Sequence, residues 1–124
     1  FIGEYSGRKN LEFLYMLRHK KDPQRIKDIM ATVKLDYGSR KKVAKYSLGM
    51  KQRLAIAQVL MEEMPILIMD EPMNGLDRQG VMEVRELLLT EKKKGKIILL
   101  ASHNSEDIEY LCDDIYKLEN GRMI

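Results

Sequence analysis

The chain has no tryptophan, two phenylalanines and a single cysteine among its 124 residues. With so few aromatics beside its basic residues, a stacking surface for nucleic acid has little support. One cysteine, Cys112, rules out an intrachain disulfide and a cysteine-built metal cluster, and suits a reducing compartment. No apolar run approaches the roughly 18–20 residues that cross a bilayer, and no secretory leader is evident. Neither charge sign dominates: 22 basic and 19 acidic residues leave a formal +3. The only basic runs, "RKK" at 40–42 and "KKK" at 92–94, read as solvated faces. Also missing is any G-x-x-x-x-G-K-[ST], the loop that cradles the β- and γ-phosphates of a nucleotide.

What is present is globular. Apolar residues make up 44% and charged residues 33%, enough for one small domain with a core. The first residue, Phe1, lies in what reads as a loop, so the chain is expected to be part of something longer. No internal repeat or low-complexity segment is evident.

The first third is helical in pattern. Residues 6–21 carry Leu11, Leu14, Tyr15 and Leu17 on one face, with Ser6 or Asn10 near the start. In 22–35, Asp22 caps, Pro23 suits the first turn, and Ile26, Ile29, Met30 and Val33 follow helical spacing. A connector around Gly38 leads to a third helix from about 47 to 64. After Pro65 the period changes: "ILIM" (66–69) and "KIILLAS" (96–102) read as strands buried on both faces. Between them 78–94 reads as a helix stopped by Gly95, and a short helix capped by Asn104 or Ser105 follows. "DIYKLENGRMI" ends the chain as a hairpin about Asn120-Gly121. His19 reads as a surface residue, and methionines such as Met61, Met64, Met69 and Met73 read as core packing.

Four stretches can carry chemistry. "YSLGM" (46–50) puts a hydroxyl and bare N–H groups at a helix start, which serves equally as a cap or an anion site. "ILIMDEP" sets Asp70 and Glu71 at the carboxyl end of a buried strand, where open α/β sheets bind ligands. One carboxylate there can hold hydrated Mg²⁺ and the other can take a proton from water, or both simply end the strand in an acidic turn. "NGLD" (74–77) is a turn in which Asp77 can cap the next helix. "LLASH" brings Ser102 and His103 to the tip of a second strand, on the rim shared with Glu71 if the strands are parallel neighbours.

In this order the motifs resemble the nucleotide-binding domain of ATP-binding-cassette (ABC) transporters, over about residues 5 to 124. "YSLGM" takes the place of the signature motif, "ILIMDEP" of the Walker B strand, "NGLD" of the D-loop and "SH" of the switch histidine. The resemblance implies that Asp70 helps hold Mg²⁺ through water and that Glu71 is the general base for the hydrolytic water. It implies that His103 contacts the γ-phosphate, that Asp77 acts across a dimer interface, and that Ser47 and Gly49 bind ATP held by the opposite subunit. ATP and Mg²⁺ are then the cofactors. The partners are a second nucleotide-binding domain, head to tail, and a transmembrane permease subunit; no nucleic acid is expected. The implied location is cytoplasmic, peripheral to the inner face of the cell membrane.

Two departures stand out against the family's usual Leu-Ser-Gly-Gly-Gln. Leu48 replaces a glycine and Met50 a glutamine, a form that, followed by "KQRL", is similar to bacterial antibiotic and lantibiotic exporters. The phosphate loop and the glutamine-bearing loop of the family are both absent. The expected fold is α/β: a partial P-loop-NTPase-like parallel sheet with strands near 66–70, 97–101 and 115–118. A helical lobe with the signature motif spans 1–64, and 65–124 forms the C-terminal half of the ATPase core. Without the P-loop strand, the 97–101 strand is left with an open apolar edge and the terminal hairpin without a neighbour. The chain alone is expected not to hydrolyse ATP. The other readings are a soluble ABC-type ATPase acting on nucleic acid or ribosome, and a non-catalytic interaction fragment.

Overall fold

The computed structural model describes residues 1–124, and the three helices of the first half form as their caps dictate. Helix α1 (Gly7–Met16) starts at Ser6, whose hydroxyl accepts from Lys9 N–H. It ends sooner than expected, so Leu17 lies exposed, and Leu14 and Tyr15 are only half-buried. Asn10 is buried and ties the N-terminal segment down, accepting from Ile2 N–H at 2.7 Å and donating to Ile2 O at 2.9 Å. Helix α2 (Pro23–Thr32) is capped by Asp22, with Pro23 in its first turn. Helix α3 (Leu48–Met61) is capped by Ser47 and buries Leu54, Ile56, Ala57, Leu60 and Met61. Those positions line one side of the helix, and every other residue from 52 to 59 is at least partly covered, which makes α3 the central column of the core. His19 is partly exposed, stacked on Tyr15 and paired with Glu62 at the end of α3.

Strands β1 (Ile66–Asp70) and β2 (Ile97–Ala101) pair in parallel, Ile66 opposite Ile97 and Asp70 opposite Ala101. Helix α4 (Arg78–Lys93) connects them, with Gly95 at φ +88° turning the chain out of it. Parallel pairing needs such a crossover. Helix α5 (Ser105–Leu111), capped by Asn104, follows β2.

The strands are not buried on both faces, contrary to the apolar runs. Leu67 and Met69 face the core, but Ile66, Ile68, Ile97 and Leu99 are exposed, Ile68 at 72%. An all-apolar strand belongs between two layers, and these 124 residues supply only one. The third strand also differs. Residues 115–117 are irregular, and β3 (Leu118–Glu119) pairs antiparallel with β4 (Arg122–Met123) as a separate ribbon. Asn120 and Gly121, both at positive φ, make its turn as expected. The hairpin has no parallel neighbour, so the sheet is a two-stranded remnant. Met61, Met69 and Met73 are buried, whereas Met64 is exposed.

Charged groups close the base of the sheet. Lys96 reaches Glu91 on α4 and, at 3.0 Å, Glu63 beyond α3. Glu63 also holds Arg25 of α2 at 3.0 Å, and Arg25 donates to the carbonyls of Leu60 and Met61, the free end of α3. The hydrogen bond from Lys96 holds the Glu63 carboxyl below its ordinary range. Burial pulls Lys96 down, but its bonds to Glu91 and Glu63 outweigh that and raise it above an ordinary lysine.

Two outcomes follow from this layout. Leu67→Ala is expected to cost about 2–5 kcal/mol in urea denaturation, while Ile68→Ala, one residue on, stays within about 0.5 kcal/mol. The Glu63–Lys96 contribution is full above the ordinary carboxylate pKa and is lost as acid protonates Glu63. It is lost again as base takes Lys96 past its raised value. The stability gap between the wild type and Lys96→Met is therefore widest near neutrality and narrows below about pH 4.

Candidate functional site

The parallel register places the two strand tips side by side. Asp70, the last residue of β1, is exposed, and Glu71 continues the ladder by donating its N–H to Ala101 O at 2.8 Å. Glu71 then turns into the left-handed region at φ +48°, which costs a non-glycine residue roughly 1 kcal/mol or more. That turn swings its side chain across the tip of β2. There Glu71 Oε1 accepts from His103 N–H at 2.9 Å and pairs with His103 Nδ1. The His103 ring is otherwise free in solvent, 95% exposed. Asp70, Glu71 and His103 thus share one rim, the arrangement expected for neighbouring parallel strands.

The loop carrying His103 is held from its far side. Asn104 Oδ1 accepts from Asp107 N–H at 3.1 Å, and buried Asp107 takes two bonds from Arg85 of α4, at 2.6 and 2.9 Å. A charge-assisted pair of this kind anchors α5 behind the histidine loop.

The acidic tip is joined to the start of α3. Residues 71–74 form a turn in which Asn74 N–H donates to Glu71 O at 3.1 Å, with Pro72 and Met73 buried. Gly75 sits at φ +81°, against the side chain of Leu48, and a Cβ there would lie 2.5 Å from Leu48 Cγ. Gly49 faces the same loop, its own imagined Cβ 3.4 Å from Gly75 O. Tyr46 is buried under this corner with its hydroxyl against Gly7; burial pushes the phenol up, partly offset by the Gly7 backbone.

Ser47 and Asp77 each act as a cap. Ser47 Oγ accepts from Met50 N–H at 3.1 Å, and an Asp77 oxygen accepts from Gly80 N–H at 2.7 Å. Both residues are exposed, and neither bonds to Asp70, Glu71 or His103. For Ser47 the question of cap or anion site has a geometric answer: the hydroxyl caps α3 while the helix start remains open to solvent.

Sequence reasoning missed two contacts. Gln52 Nε2 donates to Glu71 O at 2.9 Å, and Arg85 holds Asp107. Only the Glu71-Pro72 step hints at the unusual turn, since a residue before proline avoids the right-handed helical region. Nothing local marks Gln52 or Arg85.

The sequence model of the ABC transporter family matches residues 2–74, a stretch that contains Ser47, Gly49, Asp70 and Glu71. The chain belongs to the ABC transporter family. It is 42% identical over 98% of its length to an uncharacterised ABC transporter ATP-binding protein, YybJ, of Bacillus subtilis. It is 37% identical over its whole length to the bacitracin transport ATP-binding protein BcrA of Enterococcus faecalis. It spans 56% of the first relative and 41% of the second, about half the length of the curated proteins it matches. A solved ATP-binding subunit of an ABC transporter superposes with a TM-score of 0.86 at 28% identity, over 99% of this chain and 52% of that one. A dimeric ATP-binding cassette bound to ADP and Pi has the same fold, with a TM-score of 0.78 at 20% identity over 88% of this chain and 50% of that one. This ABC family chain therefore keeps the family's fold over the part it spans, incomplete sheet included.

As Asp77 acts as a helix cap, Asp77→Ala is expected to lower stability by about 1 kcal/mol, and Asp77→Asn to be near neutral. Thermal denaturation of the pair checks this.

Proposed function

We propose that these residues are the signature-to-switch half of an ATP-binding subunit that powers export through a membrane permease. The carrying observation is the grip of Glu71 on His103 beside Asp70, at the carboxyl end of a parallel sheet. The likeness to the bacitracin transport protein supports export as the purpose.

In this reading Glu71 is the general base. Its Oε1 is engaged by His103, which leaves Oε2 to take the proton of a water attacking the γ-phosphorus of ATP. The new P–O bond forms as the bond to the bridging oxygen breaks, releasing ADP and phosphate. His103, its ring free of other partners, orients the γ-phosphate and the water. Asp70 is one exposed carboxylate, a donor set that suits Mg²⁺ held through water and completed by the nucleotide's phosphates. When bound, that ion would neutralise phosphate charge. Ser47 and Gly49, at the open start of α3, receive the γ-phosphate of ATP held by a second such domain, head to tail, using the positive end of the helix dipole. Asp77 acts across the same interface. The active unit is a dimer on the cytoplasmic face of the membrane, with ATP as substrate and no nucleic acid among its partners. Residues 1–64 serve as the helical lobe and 65–124 as half of the ATPase core.

Because no phosphate-cradling loop exists within the 124 residues, they do not turn over ATP by themselves. In a full-length ATP-binding protein carrying these residues, Glu71→Gln is expected to lower phosphate release at least about 100-fold while ATP binding is retained. Phosphate-release and nucleotide-binding assays together check this; unchanged hydrolysis would remove Glu71 as the base.

A further inference from the structure

The Glu71 backbone is the least comfortable part of the site, and one side chain from another element holds it. Its carbonyl oxygen has two lone pairs. Asn74 N–H takes one at 3.1 Å and closes the 71–74 turn; Gln52 Nε2 takes the other at 2.9 Å. Gln52 is half-buried in the second turn of α3, a helix seated in the core by Leu54, Ala57 and Met61. Its amide therefore works from a fixed platform. With φ at +48°, Glu71 lies in a region that a non-glycine residue leaves unless its surroundings oppose the change. Three bonds oppose it here: Glu71 N–H to Ala101 O, Asn74 to Glu71 O, and Gln52 to Glu71 O. The first two come from the sheet and from the turn itself. Only the third ties Glu71 to the helix whose start carries Ser47 and Gly49.

A second contact makes the same connection. Leu48, in the first turn of α3, packs on Gly75, and Gly49 lies against Gly75 O. The start of α3 and the loop from Glu71 to Gly75 are clasped at two points, one polar and one apolar. A displacement of the α3 start is then passed to the carbonyl of Glu71, and through its turn to the carboxylate that grips His103.

We propose that Gln52 is a positioning residue for Glu71, holding the left-handed turn that aims its carboxylate and coupling that aim to the signature end of α3. The inference rests on the hydrolytic role of Glu71 proposed above. The effect of Gln52 is exerted through the Glu71 backbone, which it holds at 2.9 Å.

The test uses a full-length ATP-binding protein carrying these residues, with Gln52→Leu and Gln52→Glu. Glu keeps the side chain's shape and Leu is one carbon shorter; one that folds suffices. Leu removes the donor, and Glu sets a carboxylate against the carbonyl. The expected result is a kcat about tenfold lower, the size of one lost hydrogen bond, with KM for ATP within about twofold. Hydrogen exchange of the Glu71 and Asn74 amides should quicken while α4 is unchanged. If Glu71→Gln abolishes turnover but both Gln52 variants keep wild-type kcat, the inference is overturned and the role of Glu71 stands. A fall in kcat matched by a rise in KM and faster exchange throughout would mark a general structural role and overturn it too. Full turnover in Glu71→Gln would overturn the hydrolytic reading itself, and the inference with it.

Discussion

Asp70 lies opposite Ala101 across the parallel pair, and the site depends on that register. Side chains alternate along a strand, so a slip of one residue would exchange the buried Leu67 and Met69 for Ile66 and Ile68. It would also part Glu71 from His103. The same register carries the ladder one step past β1, where Glu71 N–H meets Ala101 O and the chain can turn sharply without losing its hold. Burial on one face thus specifies chemistry on the rim.

Helix α3 is the second organising element. It packs against α1 and α2 in one continuous core that also holds Leu67 and Met69 of β1, and its two ends differ. The far end is closed by Arg25, which satisfies carbonyls that a helix terminus leaves open. The near end is capped by Ser47 and clasped to the acidic loop by Leu48 and Gln52. If the start of α3 receives phosphate as proposed, a rigid column between the two ends is suited to transmit small shifts, because packed cores change arrangement in steps rather than yielding smoothly.

The exposed face of β1 and β2 bears on both. Ile66, Ile68, Ile97 and Leu99 form an apolar surface beside two open strand edges, which in isolation invites association. The chain spans about half of its curated relatives, and half of a sheet's packing is what it lacks. The departure of Leu48 from the family's glycine also has a place: the side chain covers Gly75, whose φ of +81° and lack of a Cβ make room for it.

Much was legible in the residues alone. Asp22, Ser47 and Asp77 marked helix starts, and the structure chose Ser6 over Asn10 and Asn104 over Ser105; each cap supplies an oxygen to an unpaired N–H of the first turn. Apolar runs ending in Asp-Glu and Ser-His marked the strand tips, and the spacing of four short motifs marked the family. Local chemistry acts over a few residues and is written in them. The one-sided burial of the strands, the separate terminal ribbon, the left-handed turn at Glu71 and the reach of Gln52 across 19 residues were decided only by tertiary structure. Each depends on what another element places beside it, and a sequence pattern records a residue's own preference rather than its neighbour's position.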